Sequence, residues 1–122
     1  MASLEAILHT RYGDISGRCW YDIERSARKR CIPFNITQEY AWELFLLQNK
    51  RCVYTNIPLL FSRDYSKNTA SLDRINSLLG YECDNVQWVH KSINMAKGAM
   101  SHIDFIMLCK QVSNSLGPDE SL

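Results

Sequence analysis

No apolar run in this 122-residue chain approaches the roughly 18 residues that cross a bilayer. Nor does the N-terminus set a basic segment before an apolar stretch and a cleavage site, so a soluble, cytoplasmic protein without a membrane partner is expected. Cys19, Cys31, Cys52, Cys83 and Cys109 are odd in number and scattered, with no CxxC or CxxH pair. That spacing leaves structural zinc unexpected and favours reduced thiols. The net charge of +1 carries no announcement of a nucleic-acid partner. No internal repeat occurs, and nothing reads as a helix-turn-helix or a zinc finger. The lack of repeated exposed aromatics argues against a stacking platform for single strands.

What is present is enough for one modest core: 46% of residues are hydrophobic, and the length suits a single domain spanning 1–122. Charge becomes informative locally. Arg18, Arg25, Arg28, Lys29 and Arg30 crowd residues 18–30 against only Asp22 and Glu24, either a solvated helix face or a track for a phosphate backbone. Ser16 is placed to cap a helix running to about Lys29, with Trp20, Ile23 and Ala27 on its inner face. Pro33 interrupts, and Thr37 caps a second helix marked by Ala41, Leu44, Phe45 and Gln48. Residues 1–50 thus read as a helical N-terminal half, and 51–69 as an irregular connection.

The pattern then changes. SLDRI reads as a strand, NSLLGYECD as a loop turning at Gly80, NVQWV as a second strand, and His90 to Lys97 as a helix stopped by Gly98. Ser101 and Asp104 resemble a capping box opening a helix over 101–112 with Ile103, Ile106 and Cys109 on one face. Residues 117–122 read as a frayed tail. Strand, loop, strand and helix bring the Asp73 carboxylate and the Asn94 amide oxygen toward one point. Such hard-oxygen donors suit Mg2+, or Mn2+, which keeps several waters and so needs few protein ligands.

Residues 71–97, SLDRINSLLGYECDNVQWVHKSINMAK, resemble the HNH (ββα-metal) nuclease family, closely in this core and loosely over most of the chain. The likeness is to the compact HNH proteins of bacteriophages and mobile elements. It implies an α+β fold: a short two-stranded antiparallel hairpin plus a helix, embedded in a mostly helical small domain. By position, Asp73 and Asn94 match metal ligands, Asn85 matches the central Asn that bridges the loop, and Lys97 matches a basic residue beyond the last ligand. Arg74 stands where the family carries its general-base histidine.

An arginine stays protonated and cannot take a proton from water, but it can hold a phosphate. The base or nucleophile then comes from Tyr81, beside whose ring a cation would ease ionisation, or from His90, four residues before Asn94; His90 equally suits a third ligand. Tyr81 is favoured slightly. Plainer readings stand beside these. Asp73 and Arg74 could be an exposed pair on opposite faces of a strand, Tyr81 a core cover, Asn85 a turn residue and His90 a strand end. Phosphate contacts are expected from Arg18, Arg25, Lys29, Arg63, Lys67, Lys91 and Lys97. The expected function is a magnesium-dependent endonuclease on double-stranded DNA, of homing, nicking or restriction type, and a homodimer if it cuts both strands. The alternative is a DNA-binding protein that kept the fold and lost cleavage.

Overall fold

The structure, a computed structural model, describes residues 3–117. Three helices come first: α1 (Leu4–His9), α2 (Gly17–Lys29) and α3 (Gln38–Leu47). Ser3, Ser16 and Thr37 cap them, each side chain accepting from the backbone N–H three residues on. Strand β1 (Ala70–Arg74), strand β2 (Val86–His90), α4 (Lys91–Lys97) and α5 (His102–Leu116) follow, after a single 3-10 turn at Tyr65–Lys67. The expected α+β order of hairpin then helix therefore forms, with each strand displaced by one residue from its reading in the sequence. Helix α1 had no counterpart there. It is short, and although Leu4, Ile7 and Leu8 fall at helical spacing, none of its residues is buried.

β1 and β2 pair antiparallel in regular register, Leu72 opposite Trp88 and Asp73 opposite Gln87. A two-stranded hairpin is marginal alone, and its free edges invite further pairing. Side chains of the neighbouring helices close both edges. On β2, Gln48 at the end of α3 accepts from Trp88 N–H at 2.9 Å and donates to Trp88 C=O at 2.9 Å. On β1, Asn94 of α4 donates to Leu72 C=O and Lys97 to Arg74 C=O.

The core lies beneath this hairpin. Trp88 is fully buried, donates its indole N–H to Ala41 C=O at 2.8 Å, and meets Phe45 and Phe61 edge-on. Trp20, Phe34 and Tyr81 form a second aromatic row that continues the same cluster. Tyr81 is tied in by backbone bonds to Pro33 and Asn35. Gly80 belongs to that contact more than to a turn. A Cβ there would lie 2.6 Å from Pro33 O, so only glycine lets the two segments approach.

Gly98, with φ 54°, ends α4 as expected. In α5 the buried residue is Phe105, which packs edge-on against Tyr54. Of the residues read as sharing a face, Ile103 and Cys109 are exposed and Ile106 is half-buried. That periodicity was too weak to tell which side of a helix meets the body at its first turn. Beyond Gly117, the expected frayed tail lies outside the described residues.

Candidate active site

Asp73 sits in β1 at 4% exposure, and both its carboxylate oxygens are engaged. Oδ1 accepts from Lys97 Nζ at 3.0 Å and Oδ2 from Gln87 Nε2 at 2.9 Å. Lys97 is itself 1% exposed and also donates to Arg74 C=O at 2.7 Å. Two buried charges thus neutralise each other and fix the carboxylate plane. Asn94, one turn earlier in α4, donates its amide to Ser71 Oγ at 2.7 Å and to Leu72 C=O at 3.3 Å. A carbonyl can only accept, so these contacts assign the amide nitrogen, and Oδ1 has no hydrogen-bond partner among the described residues.

A cleft of about 780 Å³ runs along the outer edge of β1, the edge that Asn94 and Lys97 cap. Ala70, Ser71, Leu72, Asp73 and Arg74 all line it, with Asn94, Lys91 and Lys97 from α4 and Asp22, Ser26 and Arg30 from the α2 side. This settles how Asp73 and Arg74 share a site without any break in the pleat. A cleft facing a strand edge meets residues from both faces of the strand, and the register shows no bulge.

Arg74 donates Nη1 to Ser77 C=O at 2.8 Å and to Leu79 C=O at 2.9 Å. Its guanidinium carbon lies 5.5 Å from the centre of the Tyr81 ring. Tyr81 is 6% exposed, with its ring against Phe34 and its hydroxyl oxygen accepting from Arg30 Nη2 at 3.0 Å. It both covers the core and lines the cleft. Asn85 is buried and works inside the loop: Oδ1 accepts from Asn76 N–H, and Nδ2 donates to the carbonyls of Asn76 and Gly80.

Not every residue singled out in the sequence reaches the cleft. His90 ends β2 and caps α4, its Nδ1 accepting from Ser92 N–H, and it does not line the cleft. The helix begins one residue too late for His90 and Asn94 to share a helical face. Lys97 is withdrawn from the set of phosphate contacts because it is buried on Asp73. Arg18 pairs with Asp22, and Lys67 with Asp64, on exposed surface. Arg25 and Lys29 line a separate groove on the outer side of α2, and Arg63 lines one with Arg11 that shares Cys19 and Asn68 with the cleft.

A polar chain behind Asp73 was missed. Gln87 Nε2 also donates to Tyr54 Oη at 3.0 Å, and Tyr54 lies 2.8 Å from His102 Nδ1. Tyr54 Oη thus accepts from Gln87 and shares a hydrogen bond with His102, whose direction follows the tautomer of the ring. Burial pushes the Tyr54 phenol above its ordinary value; the Gln87 bond opposes this and the Asp73 charge adds to it. Gln87 could have been found from its register opposite Asp73. Tyr54 and His102 carry no local signal, because distant segments bring them in, and the basic patch that includes Arg30 does not show that Arg30 reaches Tyr81.

The donor set suits a hard cation taking few protein ligands. Among the described residues each Asp73 oxygen accepts one side-chain hydrogen bond and keeps a lone pair, and Asn94 Oδ1 accepts none. Among the described residues no cluster of three His, Cys, Asp or Glu side chains adds a richer site.

Hairpin, helix and edge cleft together define the ββα fold of HNH type. Among solved structures the chain is similar to the rare-cutting HNH restriction endonuclease PacI, at a TM-score of 0.60 and 18% identity, covering 87% of this chain and 89% of that one. No protein-family model and no curated protein matches the sequence. The described residues contain no helix long and apolar enough to cross a membrane.

Proposed function

We propose that this chain is a DNA endonuclease that hydrolyses phosphodiester bonds with magnesium or manganese, of homing, nicking or restriction type. The observation that carries the reading is the meeting of Asp73, Arg74, Tyr81 and Asn94 in one cleft along β1. The fold it shares with an HNH restriction endonuclease, described as perturbing DNA, supports the choice of substrate.

Asp73 and Asn94 would hold the ion, which when bound offsets charge on the phosphoryl group and the leaving oxygen. Lys97 and Gln87 hold the Asp73 carboxylate in one orientation. Arg74 has Nε and Nη2 left to donate once Ser77 and Leu79 have taken Nη1, so a scissile phosphate can be gripped by a cation already fixed in place. Tyr81 is the one group among these with a proton to give up, and it stands between two guanidiniums. Asn85 holds the loop that carries Tyr81 and the carbonyls behind Arg74.

A DNA-binding protein without cleavage is the second reading. It is favoured by the absence of a histidine from the cleft lining and by the ammonium seated on Asp73. Incubation with supercoiled plasmid in magnesium or in EDTA separates the two. Nicked or linear product in magnesium alone supports the enzyme, and linear product further requires a dimer or two encounters. Retarded but intact plasmid in both conditions supports the binder.

A further inference from the structure

Two arginines reach the same phenol. Arg30, at the end of α2, donates Nη2 to Tyr81 Oη at 3.0 Å and Nε to Ser26 C=O at 3.3 Å. Arg74 comes from β1, its guanidinium 5.5 Å from the ring centre and its Nη1 locked on two loop carbonyls. Both line the cleft, and among the described residues neither forms an ion pair. Arg18 and Arg28 on the same helix, by contrast, each bond an acid four residues away. Two fixed guanidiniums without a counter-ion repel each other and gain most from a shared anion.

We infer that Arg30, Arg74 and the Tyr81 hydroxyl form a phosphate-binding site, with Arg30 as a phosphate ligand contributed from outside the ββα motif. Among the described residues Nη1 of Arg30 and Nε and Nη2 of Arg74 have no acceptor, and Nη2 of Arg30 keeps one N–H beyond its bond to Tyr81. In the resting state, before it yields its proton, the Tyr81 hydroxyl, its oxygen accepting from Arg30, adds a further donor. The fork of a guanidinium matches two phosphate oxygens where an ammonium offers one point. Ser26 and the loop carbonyls hold both forks before any ligand arrives, which lowers the ordering cost of binding. The inference rests on the proposal that the cleft receives a nucleic-acid backbone, and it assigns the cation on the wall facing Arg74.

The test is fluorescence anisotropy of a labelled mixed-sequence DNA duplex in EDTA, titrated over a range of salt, so that binding is read without cleavage. Arg30→Gln is expected to weaken binding about 5- to 20-fold and to lower the slope of log K against log salt by about one. Arg30→Lys keeps a charge and a donor for Tyr81, so it retains the fold and the wild-type slope, with binding a few-fold weaker. Lys110→Gln, the same change in net charge on exposed α5, should behave as wild type. A wild-type affinity and slope in Arg30→Gln overturns this site alone, and so does full wild-type affinity in Arg30→Lys if Arg30→Gln fails to fold. Absence of duplex binding by the wild type overturns the nuclease proposal and this site with it.

Discussion

Asp73 and Lys97 form the most deeply buried ion pair among the described residues, a 3.0 Å contact with both side chains essentially sealed from solvent. Lys97→Met keeps the volume and strands a buried carboxylate. It is expected to cost about 3–5 kcal/mol in urea unfolding, far more than Lys67→Met at an exposed pair. Tyr54 gives the pH dependence. Its folded value lies above the ordinary one near 10, so its contribution is fully present below pH 10 and is lost as pH rises through the folded value. The stability gap between wild type and Tyr54→Phe should therefore narrow above pH 10 in thermal melts taken across pH. At this scale the sequence disclosed the residues spaced within one motif: Asp73, Arg74, Tyr81 and Asn94 line the cleft. It hid what tertiary packing supplies, the place of Arg30 against Tyr81 and the Gln87, Tyr54 and His102 chain. It also misplaced Lys97, since spacing shows that a lysine is near the site but not that a carboxylate has already claimed it.

The hairpin is the element on which the site depends, and it is held by side chains more than by further strands. Gln48 makes three hydrogen bonds, two to Trp88 and one to Arg51. Gln48→Ala leaves the Trp88 N–H without its partner, while the Trp88 carbonyl keeps the Val53 N–H, at an expected cost of about 1–3 kcal/mol in chemical unfolding. Gly80→Ala should also destabilise, because its methyl group would meet the backbone oxygen of Pro33. A wild-type midpoint for Gly80→Ala would show that the Pro33 segment can give way. Helices α2 and α3 were legible because cap and apolar face agree at Ser16 and Thr37. Helix α5 was legible at its Ser101 cap but not in its face. Leu108, Val112 and Leu116 continue the Phe105 side as exposed residues, so apolar spacing there does not report burial.

Across the whole molecule, a net charge of +1 conceals an uneven surface. Arginines and lysines gather on α2 and around the cleft, while the acid that matters most, Asp73, is matched by Lys97. Composition could not reveal this, because it averages over surfaces that only the fold separates. The central claim is that Asp73 makes this cleft a phosphodiesterase. Its most direct test compares wild type with Asp73→Asn on supercoiled plasmid in magnesium, with anisotropy confirming that both bind DNA and a melt confirming that both fold. The account predicts nicked or linear product from wild type and a rate at least about 100-fold lower from Asp73→Asn, as expected for loss of a metal-holding carboxylate. Cleavage by Asp73→Asn at the wild-type rate, or by wild type in EDTA, would contradict it.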